Sequence, residues 1–227
     1  RNLQLAANFA LKTYSTTATA SGAGEVNGTQ TFTRAHSHFD QALLHATPSA
    51  GWNFDQWAWE GPVNLADTTQ PTATFDVTGG SNLTANFSRK SYQLALGNAT
   101  EGDANGSGIF LFDTNVTVVA TPHDGYVFSH WSGDVTTLSD TAASVTTVRI
   151  PDHNVSLTPN FDPVGFKATT IASGKGTVSG GGSSPFGTSV TVVATPGSTD
   201  AESPAGYYLE KWNWVSAKGS GTTSENP

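Results

Sequence analysis

The sequence predicts an all-β, mostly β-strand protein built as a tandem array of small repeat units of about 74 residues. Three observations carry this. The stretch Ala120-Thr121-Pro122-His123-Asp124-Gly125-Tyr126-Val127-Phe128-Ser129-His130-Trp131 returns in divergent form from Ala46 to Trp57. It returns again, interrupted by an insertion, from Ala194 to Trp212, and the three starts lie two equal steps of 74 apart. The residues before each copy alternate between apolar and mixed positions with a period of two. Finally, 23 Ser and 33 Thr favour short, half-exposed strands, while a hydrophobic fraction of 36% is low for one large core.

The motif reads as two strands and the turn between them. Positions 42/116/190, 44/118/192 and 46/120/194 are apolar in all three copies. Such alternation marks a strand with one face in a core. Thr-Pro then ends the strand, because proline cannot donate to the ladder. Gly51, Gly125 and Gly206 close the turn in a conformation with positive φ. The next strand places Trp52 and Phe54, or Tyr126 and Phe128, or Tyr207 and Leu209, on one face. Trp57, Trp131 and Trp212 fall on the other parity, and a bulge is the device that would turn them inward. The expected core is Phe54, Trp57, Tyr126, Phe128, Trp131 and Trp212.

Taken in order, residues 1–9 read as the closing strand of a preceding repeat. Asn2 to Phe9 aligns with Asn154 to Phe161, and a terminal Asn-Phe also closes the stretch from Asn82 to Phe87. Unit 1 spans 10–90. It opens with a strand from Leu11 to Ala20, turns through Ser21 to Gly24 and continues from Glu25 to Phe32. Arg34 to Ala46 is the best helix candidate, although the repeat alignment assigns its latter half to a strand. Unit 2 spans 91–163 and turns near Gly102 to Gly108. Unit 3 spans 166–227, turns through Gly174-Lys175-Gly176 and lacks its closing strand. Glycine clusters between alternating runs fit hairpins. The short links, one stiffened by Pro163, restrict motion between units.

Charge narrows the function. Asp plus Glu is 18 against 10 Lys plus Arg, a net charge of −8. An acidic, weakly charged surface does not suit nucleic acid or anionic membranes. No apolar run reaches membrane-spanning length. Without cysteine, disulfides and thiolate metal sites are excluded.

The pattern Gly-x-Gly-x-Val, Val-Thr-Val-x-Ala-Thr-Pro, Gly-Tyr-x-Phe-x-x-Trp-Ser-Gly and a closing Asn-x-x-x-x-x-Asn-Phe resembles the divergent internalin B-type repeats of bacterial surface and secreted proteins. Unit 2 carries it best, in Val116 to Gly133 and Asn154 to Phe161. Unit 3 departs through its insertion from Gly197 to Ala205, and unit 1 has Ala58-Trp59 where the pattern has Ser-Gly. The resemblance implies a small β-grasp-like unit used in adhesins, in stalks and beside secreted enzymes, on the cell surface or outside the cell. It supplies no catalytic residue and no cofactor.

Few residues stand out as sites. Trp59 and Trp214 each lie two residues beyond a motif tryptophan, where unit 2 has Gly133, and are candidates for sugar or partner contact. His36 and His38 share a face if that stretch is a strand, with His45 the nearest further imidazole for a metal. Asp103, Asp113, Asp124, Asp134, Asp140 and Asp152 sit near turns. Turn chemistry explains them as well as calcium does, because no spaced Asp-x-Asp loop exists. Sequons at Asn27, Asn82, Asn86, Asn98, Asn105, Asn115 and Asn154 would carry glycans in a host that glycosylates. The first reading is therefore a structural or adhesive extracellular repeat region with no catalysis of its own. Its partners are neighbouring repeats, other copies of the chain or surface glycans, without nucleic acid or membrane insertion. Accessory repeats of a secreted hydrolase and a carbohydrate-binding module are the alternatives. The strands Thr146–Ile150 and Leu157–Phe161 are expected at exposed sheet edges, and Asn2 to Phe9 is expected to fill the sheet of a unit like unit 3, from a longer chain or another copy.

Overall fold

The computed structural model describes residues 2–10, 12–27, 30–33, 41–76, 78–198, 206–216 and 219–223. Unit 1 contributes seven strands: β1 (Thr13–Ser21), β2 (Gly24–Val26), β3 (Gln30–Thr33), β4 (Gln41–Pro48), β5 (Trp52–Glu60), β6 (Thr72–Asp76) and β7 (Ser81–Arg89). Unit 2 repeats them as β8 (Ser91–Leu96), β9 (Gly102–Asn105), β10 (Gly108–Leu111), β11 (Asn115–Pro122), β12 (Tyr126–Gly133), β13 (Val145–Arg149) and β14 (Val155–Pro163). The two topologies are identical. One sheet runs β3-β1-β7-β5, matched by β10-β8-β14-β12. The other runs β2-β4-β6, matched by β9-β11-β13.

The alternation explains how the sheets meet. On β4, Ala42, Leu44 and Ala46 are buried, and on β11, Val116, Val118 and Ala120 are buried, while Leu43 and Thr117 face solvent. These inward rows form one cluster with Trp57, Leu83, Ala85 and Phe87 of the facing sheet in unit 1. In unit 2 they cluster with Leu94, Trp131, Val155 and Leu157. Each of the two complete units is thus a two-layer β structure with its own small core.

Several expectations need correction. The β-grasp detail finds no support, because the mixed sheet packs against a second sheet and the described residues hold no helix beyond the single turn Val135–Thr137. Glu25 to Phe32 is not one strand: β2 and β3 belong to different sheets, so the chain crosses between layers there. Gly102 does not begin a turn. It begins β9, whose Ala104 pairs with Ala120, and the ring of Phe161 occupies the place of a Cβ at Gly102, as Phe87 does at Gly24. Leu157–Phe161 is no edge: β14 lies between β8, in parallel, and β12, antiparallel. β13 does lie at the edge of its sheet. Of the helix candidate, 41–46 falls within strand β4, and 34–40 lies outside the described residues.

The ends differ from the two complete units. Residues 2–9 form no strand, and Leu3, Leu5 and Phe9 are exposed, Phe9 at 94%. A closing strand is held only by its two neighbours, and this segment has neither within the described chain. Unit 3 comprises β15 (Gly165–Ala168), β16 (Gly176–Gly180), β17 (Gly182–Pro185), β18 (Val192–Pro196), β19 (Trp212–Ser216) and β20 (Gly219–Thr223), paired only two by two. Trp212, on the two-stranded ribbon β19-β20, is half-buried, its indole N–H without an acceptor among the described residues. None of the described residues of unit 3 is buried.

Candidate functional site

The motif tryptophan is seated by three neighbouring features. Strand β5 slips register against β7 between Phe54 and Gln56, and β12 slips against β14 between Phe128 and His130. That bulge reverses the parity and turns Trp57 and Trp131 inward, each 2% exposed. The Asn86 side-chain amide donates to the Gln56 carbonyl at 3.3 Å, and Asn160 to the His130 carbonyl at 3.2 Å. The asparagine of each closing Asn-Phe therefore bonds the backbone of the residue that follows the bulge. The indole N–H donates to Gln70 at 3.0 Å in unit 1 and to Ala143 at 3.1 Å in unit 2. Asp67 and Asp140 shape the loops that present these carbonyls, accepting from the amides of Thr69 and Ala142, both at 2.8 Å. Phe54 lies 5.7 Å from Trp57 and 5.8 Å from Phe87; Phe128 lies 5.7 Å from Trp131 and 6.0 Å from Phe161. These rings serve the fold.

A second constellation lies between units. One residue, Lys90, separates β7 from β8, and one, Val164, separates β14 from β15. The Lys90 amide donates to the Gly51 carbonyl at 2.9 Å, and the Phe112 amide donates to the Lys90 carbonyl at 2.8 Å. At the next junction, Val164 donates to Gly125 at 2.8 Å and Phe186 donates to Val164 at 2.9 Å. Gly51 and Gly125 have φ of 77° and 89°, and the Phe112 and Phe186 rings lie where their Cβ atoms would stand. Two independent demands, positive φ and absent Cβ, thus meet at one residue. The flanking side chains differ. At the first joint Arg89 sits 5.7 Å from the Trp52 ring and its guanidinium reaches the Phe112 carbonyl at 3.5 Å. At the second, Tyr126 meets Phe186 edge to face at 5.5 Å, so Tyr126 belongs to the joint and not to the core cluster expected for it. Sequence reasoning passed over these joints. The signal was present, since Phe112 and Phe186, like Lys90 and Val164, keep the 74-residue step.

The remaining candidates are dispersed. Trp59 on β5 is 37% exposed and Trp214 on β19 is 50% exposed, and they lie in different units. His36 and His38 lie outside the described residues, and His45 bonds the Thr72 hydroxyl at 2.9 Å. Of the turn aspartates, Asp134 accepts from the Ser156 amide, Asp113 pairs with Arg149, and Asp152 with His153. Asp103 lies 3.1 Å from His123 Nε2; that bond, with help from the Thr100 carbonyl, raises the His123 pKa. The Arg149 bond lowers the Asp113 carboxyl. Among the described residues no three such side chains gather as metal ligands. Asn27, Asn82, Asn98, Asn105 and Asn115 are exposed. Asn86 is half-buried at the bulge, and exposed Asn154 accepts from the Gln93 amide at 2.9 Å. An open cleft of about 410 Å³ in unit 3 runs past Gly176, Tyr207 and Trp212, and neither Trp59 nor Trp214 lines it.

The sequence profile of the divergent InlB B-repeat domain matches residues 14–91 and, again, 92–165. The chain belongs to this family. The two InlB B-repeat matches abut where β7 gives way to β8, and together they cover two thirds of the chain. The tryptophan seat and the joint glycines fall inside both B-repeats, and Phe186 and the rest of unit 3 lie beyond the second. Neither a curated protein nor a solved structure matches the chain. B-repeats of this type are a feature of bacterial surface proteins, and no helix among the described residues is long and apolar enough to cross a membrane.

Proposed function

We propose that the chain is a non-catalytic, extracellular structural region that acts as a stiff spacer, the stalk of a surface protein or adhesin. The single-residue links at Lys90 and Val164 carry this reading, because each leaves almost no free backbone between one unit and the next. The tandem B-repeats and the acidic surface favour the same role. Small-angle X-ray scattering on the 227-residue chain tests it: one elongated shape is expected, unchanged between 50 and 500 mM salt. A compact particle, or a curve that needs a broad ensemble of bent shapes, overturns the spacer reading.

A second reading, sugar contact through Trp59 and Trp214, is favoured only by their exposure. Quenching of tryptophan fluorescence by soluble glycans, lost in Trp59→Ala and Trp214→Ala, would support it. The hydrolase-accessory alternative depends on chain outside these residues.

A further inference from the structure

We propose that each joint is a plug-and-socket site by which one unit recognises the next, with a phenylalanine as plug and a turn glycine as socket. This rests on the spacer reading and names the groups that would make it stiff. The argument comes from comparing the two joints. They share the turn glycine with positive φ, the linker amide bonded to its carbonyl, the phenylalanine amide bonded to the linker carbonyl, and the ring seated over the glycine. They share little else, since Arg89 and Trp52 at the first are replaced by Pro163 and Tyr126 at the second. What recurs while its surroundings change is what the recognition requires. The backbone bonds fix the position of the linker but leave rotation about it. The ring, lying off that axis and against the turn, is the group that blocks the rotation. Only glycine admits it, because a side chain at that place would occupy the volume of the ring.

The chain has no cysteine, so spin labels can be placed at will. Thr74→Cys and Thr117→Cys put one label on an exposed strand position of each complete unit. Pulsed dipolar spectroscopy on the full chain then reads the distance distribution between units. The parent is expected to give one narrow peak, Phe112→Ala a distribution at least twice as wide, and Arg89→Ala a peak as narrow as the parent. Far-UV circular dichroism and melting of each variant confirm that both units stay folded. If Phe112→Ala fails to fold, Phe112→Leu, which keeps apolar bulk but not the flat ring over Gly51, takes its place with the same expectation in smaller degree. A narrow parent with an equally narrow, folded Phe112 variant overturns the plug while leaving the spacer standing. Equal broadening by Arg89→Ala also overturns it, because the flanking side chains would then hold the joint. A broad parent overturns spacer and plug together.

Discussion

At the scale of single residues, the motif tryptophan and one histidine yield the sharpest expectations. Trp131 is 2% exposed, bonded through its indole N–H and packed on Phe128. Trp131→Ala removes that volume and also orphans the Ala143 carbonyl, so a loss of roughly 3–5 kcal/mol is expected, read as the denaturation midpoint of unit 2. His123 titrates in the opposite sense to a buried imidazole. Its folded pKa is raised above 6.5, mainly by the Asp103 hydrogen bond. Its contribution to stability is therefore fully present below pH 6.5 and is lost as pH rises through the folded value. Asp113 has the reverse sign: its carboxyl is lowered below 3.8, so its contribution is present above that pH and fades on acidification. Both groups are solvent-exposed, so the effects are small. An NMR titration of the imidazole that finds His123 at or below 6.5 would refute the first expectation. Much at this scale was legible in the sequence. The inward turn of Trp57 and Trp131 required a bulge, because their parity is wrong without one. The role of the closing asparagine was not legible, because it bonds a carbonyl some thirty residues earlier in the chain.

At the scale of elements, the two complete units solve one packing problem with different chemistry. In the parallel pair of β1 and β7, Thr16 faces Ser81, and their hydroxyls bond at 3.2 Å in the buried layer. In the pair of β8 and β14, Leu94 faces Val155. The hydrogen-bonded pair and the apolar pair are alternatives at one position. Thr16→Val alone leaves a buried hydroxyl without its partner and is expected to cost about 1–2 kcal/mol. Adding Ser81→Ala should recover most of that, and urea melts of the four members of the cycle measure the coupling. Additive losses would show that the two hydroxyls act independently. The strands themselves could be read from period-two alternation, as for β4 and β11. The neighbours could not: β14 reads as an edge by composition and is central by topology, because sheet order depends on contacts distant in the chain. Unit 3 shows the same limit. Its strands are written as clearly as those of unit 2, yet they pair only two by two and Trp212 stays half-buried.

At the scale of the whole molecule, the constant step of 74 residues was the most informative feature of the sequence, and it also contained the joints. Phe112 and Phe186 went unremarked because a lone aromatic in a turn has no periodic neighbours to mark it. The central parallel pair has a further consequence under tension. In unit 1 the chain enters through β1 and leaves through β7, which lie side by side and point the same way. A pull on the two ends of the unit drives these strands past each other lengthwise, so their hydrogen bonds are strained together and not one after another as in an unzipping hairpin. The paired length differs between units: β1 and β7 are in register from Thr16 to Ser21, whereas β8 and β14 pair only from Leu94 to Leu96. Stretched in an atomic force microscope, the chain should give two separate rupture peaks for its complete units, with unit 2 yielding at the lower force. A single joint rupture, or unit 1 giving way first, would show that the parallel pair does not set the mechanical limit.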